Sequence, residues 1–142
     1  MHIRKPELAR TLAAYAHQGQ TDKAGLPYFL HPTAVAAQLD TEEEQTAAYL
    51  HDILEDTFVT EATLRNLFGP EIADAVAALT HRPGETYEDY IRRLGENPLA
   101  RRVKLADLRH NMDLSRLPVV TDRDLQRVEK YRRAYRYLDG WL

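Results

Sequence analysis

The sequence predicts an all-α protein, a single bundle of about eight helices. Three observations carry this. No segment alternates apolar and polar residues over a useful length, and helix-starting residues recur along the chain. A length of 142 residues with 29% charged and 44% hydrophobic content suits one domain spanning 1–142. Leu117–Val120 is too short to anchor a sheet.

In chain order, Pro6 opens a first helix expected to reach Gln20, and Pro32 a second expected to reach Leu39. Thr41 with Glu44 forms a capping box before a third, expected to continue to near Asp56. Thr60 to Phe68 makes a fourth, stopped by Gly69. Pro70 and Glu71 start a fifth through Thr80, with Ile72, Ala75, Val76 and Leu79 on one face. Thr86 with Asp89 caps the next, in which Tyr87 and Tyr90 at i and i+3 read as packing. Asn97 and Pro98 cap a longer helix to about Asp113, and Asp122 to Tyr137 gives the last. Tyr131, Tyr135 and Trp141 read there as core or subunit contacts.

Composition excludes several function classes. A net charge of −3, from 19 bases against 22 acids, offers no broad surface to duplex nucleic acid. Basic residues do crowd the second half (Arg92, Arg93, Arg101, Arg102, Lys104, Arg109), which leaves a small anionic ligand open beside the plainer reading of solvated helix faces. The absence of cysteine rules out disulfides, thiolate nucleophiles and thiolate zinc sites. No apolar run approaches the roughly 20 residues of a membrane span. The expected location is the cytoplasm, with no membrane partner.

Chemistry is concentrated in Leu50-His51-Asp52-Ile53-Leu54-Glu55-Asp56-Thr57. On one continuous helix, with His51 at zero, Glu55 falls near about 40°, Asp52 near about 100° and Asp56 near about 140°. Leu50, Ile53 and Leu54 take the other side and anchor the helix in the core. Three carboxylates toward a helix C-terminus are disfavoured by up to about 1 kcal/mol each. A divalent cation held by imidazole nitrogen and carboxylate oxygen would compensate, and those donors suit Mn, Fe or Zn; a solvated acidic helix end is the alternative. Further on, Lys104, Asp107 and Asn111 lie within roughly 60° of one another on a helix. They form either a surface ion pair or a further ligand, Asp107, flanked by groups that face whatever the metal holds. His31 sits at a helix start before Pro32. His17 reads as a structural histidine, and His81 has no partner pattern.

Taken together, these segments resemble one family. Ala16-His17, Gln20, Lys23, Gly25, Pro27-Tyr28 and His31-Pro32 come first, followed by His51-Asp52-x-x-Glu55-Asp56-Thr57. Leu79-Thr80, Val103-Lys104-Leu105-Ala106-Asp107 and His110-Asn111-Met112 complete the order of the RelA/SpoT-type alarmone hydrolases, members of the HD-domain metal-dependent phosphohydrolases. The resemblance runs from about Leu8 to Leu117. It implies an HD-domain fold in which His31, His51, Asp52 and Asp107 ligate one Mn²⁺ and Glu55 with Asp56 serve the attacking water. It also implies that Asn111 contacts the nucleoside, that Lys23 lies near the phosphates and base, and that Lys104 faces the substrate.

The implied reaction is hydrolysis of the 3′-diphosphate of guanosine tetra- or pentaphosphate to pyrophosphate and GDP or GTP, by a stand-alone small hydrolase with a nucleotide as its small-molecule partner. Asp22 stands where the bifunctional enzymes carry an arginine before the loop lysine, and Leu114 where they carry a threonine. Those departures favour an alternative: the same chemistry on another nucleotide, such as a nucleoside monophosphate or an NADP-type phosphate. A further alternative is a non-catalytic module that binds a nucleotide.

Overall fold

A computed structural model describes residues 3–140; Trp141 lies outside them. The described chain forms nine α-helices: α1 Lys5–Ala16, α2 Leu30–Ala37, α3 Glu42–Leu50, α4 Ile53–Asp56, α5 Glu61–Phe68, α6 Pro70–Ala78, α7 Tyr87–Gly95, α8 Pro98–Met112 and α9 Asp122–Asp139. Among the described residues the β structure is one isolated bridge, Thr21 to Pro27. None of these helices is long and apolar enough to cross a membrane.

Local caps fix most helix starts. Thr41 accepts from the Glu44 N–H while the Glu44 side chain returns to the Thr41 N–H. Thr60, Thr86 and Asn97 cap α5, α7 and α8 in the same sense, and Thr121 with Asp124 closes a second capping box on α9. Each satisfies amide donors that a helix start leaves unpaired and is worth about 1 kcal/mol.

The long α8 forms the axis. It packs on α2, α3, α6, α7 and α9, and Val103, Leu105, Ala106 and Leu108 bury its inner surface. Beside it, α1 lies on α3 with mostly alanine between them: Ala9, Ala13 and Ala16 from one helix, Ala47 and Ala48 from the other. Small side chains let those backbones approach closely. Leu64, Phe68, Ile72 and Val76 fill the space between α5, α6 and the core. Full burial of each such large side chain contributes about 1.5–3 kcal/mol.

Three departures from the sequence expectation shape the site. The first helix stops at Ala16 rather than Gln20, because Gly19 takes a left-handed φ of 84° and turns the chain. The second begins at Leu30, with Pro32 inside its first turn, where a missing N–H costs nothing. The expected third helix is two elements, with a break at His51-Asp52. Its cause is local: the Ala48 carbonyl, which a continuing helix would offer to the Asp52 N–H, instead accepts from His51 Nδ1 at 2.6 Å. Asp52 then adopts φ −105°, ψ 2° and becomes the residue preceding α4. Asp52 therefore precedes a separate one-turn helix that carries Glu55 and Asp56, and the three acids no longer share the C-terminal end of one long helix.

Candidate metal centre and cavity

The loop between α1 and α2 is built around Asp22. Its Oδ1 accepts from the Ala24 and Leu26 N–H groups at 2.9 and 3.0 Å, and its backbone N–H donates to the Leu26 carbonyl at 2.8 Å. Gly25, with φ 83°, takes the left-handed turn this requires. The Tyr28 N–H then donates to the Gln20 carbonyl, so Lys23 is held at the loop tip and Tyr28 at its base. Tyr28 packs its ring against His17 and donates its hydroxyl to Asp52 Oδ2.

Three separated parts of the chain meet just below Tyr28. His31 comes from the first turn of α2, His51 and Asp52 from the break between α3 and α4, and Asp107 from α8. One ligand-capable atom from each of His31, His51 and Asp52 lies within 4.8 Å of the other two. Asp107 Oδ1 joins them, 2.7 Å from His31 Nε2 and 3.4 Å from His51 Nε2. His31, His51 and Asp107 are buried, and Asp52 is half-buried at the edge of a cavity.

The tautomer of His51 follows from its partners. A carbonyl oxygen only accepts, so the proton on this ring sits at Nδ1, facing Ala48. Nε2 is thereby turned toward Asp52 Oδ2 at 3.0 Å and Asp107 Oδ1 at 3.4 Å, yet it makes no aligned hydrogen bond to either. A buried nitrogen lone pair aimed between two carboxylates requires a positive species there, either a proton or a metal ion. Without a metal, burial alone would lower the His51 pKa, but the charges of Asp52 and Asp107 overcome it and raise it well above the ordinary histidine value. The same attraction to His51 holds Asp52 at about 2, although burial by itself would raise it.

Neighbours lock each donor in place. Asp107 Oδ2 accepts from Lys104 Nζ at 2.8 Å and Oδ1 from Asn111 Nδ2 at 3.0 Å, leaving Oδ1 directed at the two histidines. Burial would raise the Asp107 pKa, but the Lys104 ammonium leads the interactions that depress it well below the ordinary carboxylate range. On the far side of His31, its Nδ1 is 2.7 Å from His110 Nδ1, one ring donating and the other accepting. Burial and the adjacent His31 push His110 down to about 4, which favours its neutral ring.

A cavity of about 620 Å³ opens above this floor. Lys23, His31, Asp52, Glu55, Lys104, Asp107 and Asn111 all line it. Asp56 does not: it sits exposed on the last turn of α4, where partial desolvation, Asp52 and Glu55 raise its carboxyl. Glu55 is anchored through Oε1 by the His81 N–H.

Several wall residues carried no sequence signal. His81 stacks on Tyr90 at 3.8 Å; Tyr87, Tyr131 and Lys130 join them, and Arg116 faces Asp22 at 3.6 Å across the opening. The i, i+3 tyrosines of α7 are more than packing, since both border the cavity. For His110, the motif His110-Asn111 was a pointer; for Tyr87 and Arg116, only the tertiary fold could reveal their position.

Comparison with known proteins places this geometry among relatives. Residues 9–93 match the HD domain family. The chain is 34% identical over 122 residues to a GTP pyrophosphokinase of Myxococcus xanthus, covering 73% of this chain and 16% of that protein. It is 33% identical over 125 residues to the bifunctional (p)ppGpp synthase/hydrolase SpoT of Escherichia coli, covering 78% of this chain and 18% of that one. The chain thus spans less than a fifth of the length of these relatives. A solved structure of a metazoan orthologue of SpoT, described as hydrolysing ppGpp, superposes with a TM-score of 0.74 at 25% identity, covering 95% of this chain and 85% of that one.

Proposed function

The chain belongs to the HD-domain family, and from that premise we propose that it is a metal-dependent phosphohydrolase acting on the 3′-diphosphate of guanosine tetra- and pentaphosphate. The observation that carries this reading is His51 Nε2, a buried lone pair fixed between Asp52 and Asp107. His31, His51, Asp52 and Asp107 are the proposed ligands, and the mixed imidazole and carboxylate set fits Mn²⁺, the ion proposed here. Bound there, such an ion supplies Lewis-acid polarisation of a phosphoryl oxygen and an acidified water.

The remaining work falls to the protein. Glu55, lining the cavity with one oxygen anchored, takes a proton from the attacking water. As the water oxygen bonds to the phosphorus next to the 3′ oxygen, the bond between that phosphorus and the 3′ oxygen breaks. Glu55 then returns that proton to the departing oxygen, and Asp56, which lies outside the cavity lining, bears on the step through its charge interaction with Glu55. Lys23 and Lys104 offset phosphate charge and Asn111 meets the nucleoside. The products are pyrophosphate and GDP or GTP.

The departure at Asp22 finds a counterpart in this cavity. Asp22 is committed to its loop and pairs with Arg116, so a planar guanidinium reaches the opening from the segment after α8 instead of from the loop itself. Incubating Mn²⁺-loaded protein with guanosine tetraphosphate, nucleoside mono-, di- and triphosphates and NADP tests the proposal. Pyrophosphate released from the tetraphosphate alone is the expected result. Turnover of other members in its place would move the reading to a different nucleotide, and tight binding without turnover would make this a binding module.

A further inference from the structure

One group on the cavity wall has no role in the chemistry above. The Tyr87 hydroxyl is buried and has no hydrogen-bond partner, a costly arrangement for a polar group. The residue borders the catalytic cavity and also a second cavity of about 530 Å³ between α7 and α9. Its ring is held by Tyr90 at 5.9 Å and Tyr131 at 6.3 Å. Lys130 Nζ lies 4.4 Å over the same ring and borders the same two cavities. Among the described residues Lys130 meets the rings of Tyr87 and Tyr131 and no carboxylate. Lys104, by contrast, is already engaged with Asp107.

We propose that Tyr87 and Lys130 form the subsite for the outer phosphoryl group of the diphosphate that is cleaved off, an inference that rests on the function proposed above. A neutral hydroxyl and an ammonium without an acidic partner both call for an acceptor carrying several lone pairs and negative charge, which a phosphoryl oxygen provides. Burial pushes the Tyr87 phenol up to about 12, so the group remains a donor throughout the neutral range. The second cavity is lined by Arg92 and Arg133, each paired with a carboxylate, and by Glu88, so Lys130 is the cation there that meets no carboxylate among the described residues.

The test is calorimetric binding of inorganic pyrophosphate and of GDP to metal-loaded protein, with Tyr87→Phe and Lys130→Met compared with the unmodified chain. Each variant is expected to weaken pyrophosphate binding about tenfold and to leave GDP binding within twofold. Tyr87→Phe keeps the ring contacts, so its melting temperature is expected to stay the same or rise. Unchanged pyrophosphate affinity in both variants would overturn the inference, as would a loss confined to GDP. Failure of the unmodified protein to hydrolyse guanosine tetraphosphate would instead overturn the proposed function, since the pyrophosphate measurement does not depend on turnover.

Discussion

The floor of the cavity and its rim are built by different physics. The floor draws on α2, the α3–α4 break and α8, elements that pack on one another, and each of its donors is oriented by a second residue. The rim is made of connecting segments and exposed side chains: the Asp22 loop, Arg116 after α8, and Lys130 on α9. Ion pairs at such exposure are worth about 0–1 kcal/mol. The contrast teaches that the floor determines what reaction is possible, whereas the rim determines which molecule is admitted and is free to vary.

Disabling the floor should produce the largest effects. Asp107→Asn removes a proposed ligand and strands the half-buried Lys104 that pairs with it. Metal content by elemental analysis should fall to background and turnover by 10³-fold or more, on the order expected when a metal is lost. Stability should drop by about 1–3 kcal/mol, the cost of leaving a partly buried ammonium without its partner. Asp52→Asn should also abolish metal occupancy and turnover, with less unfolding because the carboxylate is only half-buried. Metal retained in both variants would show that the floor is not the cation site.

Glu55→Gln separates binding from chemistry within the cavity. It should keep the metal and slow kcat by about 10²–10⁴-fold, the usual range for a general base. Loss of metal would reassign Glu55 to the ligand set. At the rim, Arg116→Ala should raise KM for guanosine tetraphosphate about tenfold, with kcat and melting temperature nearly unchanged. An equal fall in kcat would erase the distinction between the two regions.

The smallest effect belongs to the wall. Arg93 ties α7 to the end of α6 by donating to the Ala78 and Thr80 carbonyls, and it grips Glu85 with two further bonds. The Arg93 hydrogen bonds lead in holding Glu85 at about 2, below its ordinary value of 4.5. Because the folded value is the lower one, this contribution is present above about pH 4.5 and fades as pH falls toward 2. Arg93→Ala should therefore cost about 1–3 kcal/mol at neutral pH, and denaturant titrations should show the gap from the unmodified protein narrowing below pH 4.5.

Legibility in the sequence followed the range of the interactions involved. The caps at Thr41, Thr86 and Asn97 were readable because donor and acceptor are three residues apart. The four proposed ligands were suggested by the family resemblance, and the fold brings them together. The break at His51-Asp52 escaped helical-wheel reasoning because a side chain took the carbonyl that a regular helix reserves for its backbone. Tyr28 on Asp52, His110 on His31 and Arg116 facing Asp22 join positions 24, 79 and 94 residues apart, and such pairings leave no periodic trace along a chain.

That same break gives the protein two adjustable registers. An insertion of one residue between Asp52 and Glu55 would swing the acid pair by about 100° while His51 stayed seated on Ala48. Ion capture and proton handling thus sit on two separate helical segments, and the angle between them is set at the Asp52 backbone instead of by the pitch of one helix.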